Sequence, residues 1–465
     1  MAKIVALAAY FYQAAVAFGL LIAVAHLLSP ADYAAYSLFL AVTQFAAIFC
    51  FEWIRFACTR FYPGQTPDAE PAQRKVLVIE FATCAALCAV AAAVSVPFGI
   101  SPAVALMGVL VAIFQGGSDL HLTMLRFRQE FRGFSRLQGS RATILAAGTL
   151  AGAGLSPGFT AAAAGLVAGY IAYGALAVFL TRGEARAEAG FQPALVRQHF
   201  VYGSVAAGAA VVGMLAPLGL KSILAAALGA GGAAGALLAL DLLQKPFVLI
   251  VSALQAIQYP DVVTHYDREG ETPALRRRLG DYYALLTGFS LMTAAGIFAL
   301  LQPVGLFVVA PALREGFVEA APFVTGLSLL RALTLNMLPT PAHLRRRLAA
   351  ILLLAVADCL ALNGGALAVG YLSSFSGGAL MLGAMAGAMA AVLVGLRVLF
   401  SLRFDFVWPP VLLSAAACAV PVLANAGLGR NLWISVGVGM VGGGVLCLAS
   451  LYSYFARMVR PQPAP

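Results

Sequence analysis

Apolar runs of roughly 18 to 25 residues, separated by short polar gaps, recur from one end of the 465-residue chain to the other. A helix of that length crosses the ~30 Å hydrocarbon layer of a bilayer. Fourteen runs can be counted, near 4–27, 33–54, 76–97, 101–124, 142–156, 160–180, 203–225, 233–258, 282–301, 316–338, 348–371, 377–400, 407–424 and 431–455. The fifth is short. The longest gaps, near 55–75, 181–200 and 259–281, have about twenty residues and contain turn-forming clusters such as Pro63-Gly64 and Arg268-Glu269-Gly270. No gap is long enough for a soluble domain. The pattern therefore predicts an all-α polytopic membrane protein of about 14 transmembrane helices.

Charge turns this count into a topology. Of the 29 Lys and Arg, 24 lie at the termini or in gaps after even-numbered spans, whereas the gaps after odd-numbered spans hold only Arg314 and Arg430. The positive-inside rule makes every basic gap, and both termini, cytoplasmic. A bacterial inner membrane is the expected location, with the first span an uncleaved anchor. The net charge of +10 is dispersed over these loops, so topology and anionic headgroups account for it and no nucleic-acid partner is expected.

Composition agrees. Hydrophobic residues make up 62 % and charged residues 10 %, with a mean hydropathy of +0.91. The seven cysteines lie in or beside apolar runs, and no histidine has a companion at metal-ligand spacing. No metal, cofactor or disulfide framework is expected.

A shift of 200 positions aligns Leu28, Ala34, Leu38, Leu40 and Gln44 with Leu228, Ala234, Leu238, Leu240 and Gln244, and Phe61-Tyr62-Pro63 echoes Gln258-Tyr259-Pro260. Six spans intervene, so both copies enter from the same side. A parallel repeat of that kind places a substrate path between two similar bundles.

The stretch Leu27-Leu28-Ser29-Pro30-Ala31-Asp32-Tyr33-Ala34-Ala35-Tyr36 resembles the first exterior loop of the polysaccharide flippases of the multidrug/oligosaccharidyl-lipid/polysaccharide exporter superfamily. Tyr202-Gly203, Leu228-Gly229, Leu240-Asp241-Leu242-Leu243-Gln244 and Tyr259-Pro260 carry the resemblance into the second half. The resemblance implies two six-helix lobes, at 1–190 and 191–403, and a terminal helix pair at 404–465. It also implies a substrate, an undecaprenyl-pyrophosphate-linked oligosaccharide, with a polysaccharide polymerase and a chain-length regulator as partners beside the lipid bilayer. Many members carry an acidic-basic pair late in the seventh span. This chain has Leu220-Lys221 there, so only the basic half carries over.

Charges inside spans cost about 2.5–3.5 kcal/mol each on insertion scales and normally face a protein interior or a wet cavity. Lys245 lies about 18 Å into span eight, with Asp241 one turn before it. It is either a contact for pyrophosphate or an acidic sugar, or half of a self-neutralising pair. Arg331, about 20 Å into span ten, suits bidentate phosphate binding; equally, it matches the depth of Asp358, about 15 Å into span eleven. Lys221 is a third substrate-binding candidate, or a snorkelling cation near the exterior end of span seven. Asp241 and Asp358 are candidate coupling carboxylates, and Glu52 is spaced to pair with Arg55. Gln13, Gln44 and Gln115 can line a sugar path or bond helices together. Asp119 and His121, near a membrane interface, read as solvated.

The expected function is export of a lipid-linked glycan by alternating access, flipping it from the cytoplasmic to the periplasmic leaflet. The alternatives are a drug or cation antiporter of the same superfamily, which would favour intramembrane acids over bases, and a membrane glycan polymerase or ligase. The short exterior loops offer no catalytic platform, so no enzyme activity is expected.

Overall fold

The computed structural model describes residues 2–63, 69–181, 190–373, 375–428 and 431–459, and every regular element among them is helical. Gly64, Arg182, Arg186, Arg430 and Arg460, and the side chains of Lys3 and Arg457, lie outside the described residues.

The α-helices are α1 Ala2–Leu27, α2 Pro30–Phe61, α3 Glu70–Ser95, α4 Pro102–Phe127, α5 Phe131–Leu155, α6 Phe159–Leu180, α7 Pro193–Glu269, α8 Pro273–Pro303, α9 Arg314–Asn336, the short α10 Thr340–Leu344, α11 Leu348–Leu372, α12 Gly377–Leu399, α13 Trp408–Leu428 and α14 Leu432–Val459. Eleven are long and apolar enough to cross a membrane. One of these, α7, is two legs, 193–228 and 230–269, joined at Gly229 with φ 71°. Counting both legs, and adding α1 and α5, gives the expected fourteen long helical segments.

The helix boundaries explain themselves locally. Ser29 caps α2 by accepting from the Asp32 backbone N–H, and Pro30 fills the first turn, where no N–H is needed. The same 200-residue shift that aligns Leu28 with Leu228 places Ser29, the cap of α2 in the break between α1 and α2, opposite Gly229, which breaks α7. Each copy of the repeat thus interrupts its helix at the same position. At Gly229 the positive φ requires glycine.

Two boundaries differ from the hydropathy reading. The fifth helix begins at Phe131 rather than near 142, and the second leg of α7 runs to Glu269 rather than ending near 258. Hydropathy reports partition into lipid, not helicity. Arg132, Arg136 and Arg141 lower it while remaining good helix formers, so α5 continues as a helix through them.

The chain forms two compact units, Met1–Gly231 and Gly232–Pro465. In the first, α5 packs on α6 where a Cβ on Gly148 would sit 2.5 Å from the Gly165 carbonyl oxygen. In the second, α11 packs on α12 at the corresponding contact, where a Cβ on Gly365 would sit 2.3 Å from the Gly383 carbonyl oxygen. These backbones approach as only small residues allow. The pair α13 and α14 is bound to α8 by polar contacts: Asn425 donates to the Phe298 carbonyl at 2.9 Å, and the Tyr454 hydroxyl donates to the Ala284 carbonyl.

Candidate functional site

The first unit contains a polar cavity of about 330 Å³. Gln13 of α1, Arg55 of α2, Gln115, Asp119, Thr123 and Arg126 of α4, and Gln138 and Arg141 of α5 line it, with Leu122 and Phe134 as apolar wall. Arg126 lies next to the end of α4, Arg55 six residues before the end of α2, and Phe134 near the start of α5. The cavity is therefore built where the segments joining α2 to α3 and α4 to α5 meet the helix ends. It reaches inward to Arg141, ten residues or about 15 Å along α5.

Its side chains are held in place by one another. Arg141 donates to Asp119 at 2.5 Å, and Tyr170 of α6 lies beside the same guanidinium. Arg55 is fastened to Glu52 one turn earlier on α2, with Nε to Oε2 at 2.8 Å. Gln138 donates to Gln13, tying α5 to α1, and Tyr12 bonds Thr143 at 2.7 Å between the same two helices. The Arg126 guanidinium rests over Phe127 and makes no ion pair among the described residues. Three guanidiniums against two carboxylates leave the lining net positive. Amides and a hydroxyl supply both donors and acceptors. Chemically, this set suits a polyanion with neutral hydroxyl groups attached.

The candidates read from the sequence fall in several places. Arg331 and Asp358 come together in the second unit, Nη2 to Oδ2 at 3.2 Å, with side chains 10 % and 1 % exposed. Glu52 pairs with Arg55, and so belongs to the frame of the cavity. Lys221, on the first leg of α7, is half-buried and donates to the Ser37 hydroxyl of α2 at 3.0 Å. Asp241 and Lys245 lie one turn apart on the second leg of α7, the carboxylate half-buried and the amine exposed.

Three cavity residues escape a reading of the sequence alone. There, Arg126 and Arg141 look like loop cations and Asp119 like a solvated acid. The available signal is spacing: Gln115 and Asp119 share one helix face, as do Gln138 and Arg141. Among the described residues, no group of three or more His, Cys, Asp or Glu could hold a metal ion.

No protein-family profile matches the sequence, and no curated protein matches it. Solved structures do. The fold is similar to that of the lipid II flippase MurJ in an inward closed conformation, with a TM-score of 0.65 and 12 % identity over 98 % of this chain and 100 % of that one. It is also similar to a multidrug resistance MATE family transporter of the MOP superfamily. The inward-facing form gives a TM-score of 0.63 and 13 % identity over 85 % of this chain and 98 % of that one. The outward-facing form gives 0.58 and 12 % over 85 % and 95 %. The chain is thus a multi-pass membrane protein with the fold shared by these transporters.

Proposed function

We propose that this protein is a flippase of the bacterial inner membrane. Its substrate is a polyprenyl-pyrophosphate-linked oligosaccharide, moved from the cytoplasmic to the periplasmic leaflet by alternating access, with both termini cytoplasmic. The observation that carries the proposal is the cavity of the first unit, where Arg55, Arg126 and Arg141 stand with three glutamine amides inside a membrane protein. Arg141 is buried while Arg55 and Arg126 keep contact with solvent, and a cation buried in a membrane protein needs either fixed counter-ions or an anionic ligand. Glu52 and Asp119 meet part of that need, and the remainder is met by a diphosphate. Arg126 and Arg141 bind it, Gln13, Gln115 and Gln138 take the sugar hydroxyls, and the polyprenyl chain stays in lipid. Lys221 and Lys245 are further candidate contacts for the anionic group. Arg331 is held by Asp358 and serves as an interhelical pair.

The likeness to a lipid II flippase supports this reading because it extends over 98 % of the chain, against 85 % for the drug transporter. Polysaccharide polymerase and chain-length regulator remain the partners proposed for it. In a strain depleted of the protein, lipid-linked saccharide should accumulate in the cytoplasmic leaflet and surface or secreted polysaccharide should fall. Unchanged polysaccharide would reject the proposal.

The MATE likeness favours a second reading, antiport of cationic drugs, in which Asp119 would be the binding acid. The cationic lining opposes it. New drug sensitivity with normal polysaccharide in the depleted strain would select that reading instead.

A further inference from the structure

A second polar cluster in the first unit is separate from the cavity lining. His199, on the first leg of α7, is fully buried, and its Nδ1 lies 3.1 Å from each carboxylate oxygen of Glu80, whose side chain is 3 % exposed. Its Nε2 lies 2.9 Å from the Gln73 carbonyl oxygen. Phe61 of α2 stacks on the imidazole, with centroids 5.7 Å apart and planes 16° apart. Both ring nitrogens therefore face acceptors. An imidazolium satisfies both at once, whereas a neutral imidazole opposes one lone pair to Gln73 until that amide turns over.

The same region holds α7 against its neighbours. One turn beyond His199, a Cβ on Gly203 would sit 2.2 Å from the Trp53 carbonyl oxygen, so the backbones of α7 and α2 touch. Phe200 packs on Trp53 and Tyr202 on Phe61. Other charged groups on these stretches do not replace the pair. Arg60 on α2, Lys75 on α3 and Arg197 on α7 are exposed, and Arg74 on α3 reaches towards Glu70. Cys84, one turn beyond Glu80, is the nearest thiol on α3.

We propose that Glu80, His199 and Gln73 form a proton-sensitive latch that pins the first leg of α7 to α3. With the imidazole protonated, a buried ion pair and a second charge-assisted hydrogen bond hold the leg down. Loss of the proton leaves a neutral ring beside a buried carboxylate, and the leg loosens from α3. The sign follows: the protonated ring holds and the neutral ring releases, so the hold weakens as pH rises. The leg ends at Gly229, three residues before the second unit begins at Gly232, so the latch acts on the segment that leads into that unit.

Hydrogen–deuterium exchange of residues 193–205 in nanodiscs, corrected for intrinsic exchange, tests this between pH 5.5 and 8.5. The wild-type protein should lose about tenfold protection as pH rises across this interval, since a hydrogen bond to a charged group outweighs a neutral one by about that factor. Glu80→Gln and His199→Gln should show low protection without a step. Gln73→Leu keeps the ion pair but removes an acceptor from the imidazolium, so its step should move to lower pH. A flat wild-type profile, or an unaltered step in His199→Gln, would overturn the latch. If neither the Glu80 nor the His199 variant inserts, Gln73→Leu decides alone: an unmoved midpoint overturns the proposal and a lowered one supports it.

Discussion

Asp119 and Arg331 occupy the same place in the two halves of the chain and carry opposite charge. Asp119 stands seventeen residues after the start of α4 at Pro102, and Arg331 seventeen after the start of α9 at Arg314. Their partners match as well. Arg141 is ten residues after the start of α5 at Phe131, and Asp358 ten after the start of α11 at Leu348. Each unit thus joins two helices by an ion pair at equivalent positions, with the acid and base exchanged. The pair in the first unit opens onto the cavity; that in the second is buried.

If geometry at these positions matters more than the direction of the dipole, exchange should be tolerated. Breaking one partner of a buried pair costs about 3–5 kcal/mol. Arg331→Ala and Asp358→Ala should therefore each lower folded abundance, and Arg331→Asp combined with Asp358→Arg should recover most of it. Fluorescence-detected size-exclusion chromatography reads the result. An exchanged pair no better than the single changes would refute the equivalence.

Removal of a cavity arginine should separate stability from transport. Arg126 is exposed and carries no ion pair among the described residues, so Arg126→Ala should leave abundance close to that of the wild type. A lost charge-assisted bond of about 1.5–3 kcal/mol should weaken binding of a diphosphate lipid roughly 10- to 100-fold. Arg126→Lys should restore only part, because an ammonium lacks the bidentate fork. Titration of the purified protein with the lipid measures both.

The fused backbones make a packing prediction. Gly148→Leu and Gly365→Leu would drive side chains into carbonyl oxygens of α6 and α12, and overpacking of that kind costs about 1–3 kcal/mol. Both variants should melt earlier in detergent, by similar amounts. Gly154, where a Cβ would meet nothing within 4 Å, should accept Ala without loss.

Topology is tested by reporter fusions. Junctions after Gln192 and Gly270 should report cytoplasm, and junctions near Pro157 and Leu372 periplasm. A periplasmic signal at Gln192 would invert the assignment.

Much of the fold is legible in the sequence because bilayer thickness and charge asymmetry act on every span alike. Apolar run length marks fourteen segments, and the repeat places Ser29 opposite Gly229, the two positions where the helices break. The site is less legible. Arg141 reads as a loop cation because hydropathy falls around Arg132 and Arg136, yet it lies inside α5, and its counter-ion Asp119 is on another helix. Only tertiary packing brings them together. The Arg331–Asp358 pair is visible because matching depths in neighbouring spans can be counted from helix rise. No such count reaches Glu80 and His199, which are 119 residues apart and joined only when α7 folds back onto α3.

The central claim is that the cavity of the first unit carries an anionic lipid-linked saccharide across the membrane. Its most direct measurement is transbilayer movement of a fluorescent short-chain polyprenyl-pyrophosphate saccharide in proteoliposomes containing the purified protein. The account predicts movement by the wild type, a loss of at least tenfold in Arg126→Ala with insertion unchanged, and no movement of the corresponding uncharged polyprenol. Equal movement by wild type and Arg126→Ala, or transport of cationic drugs with no movement of the saccharide lipid, would contradict it.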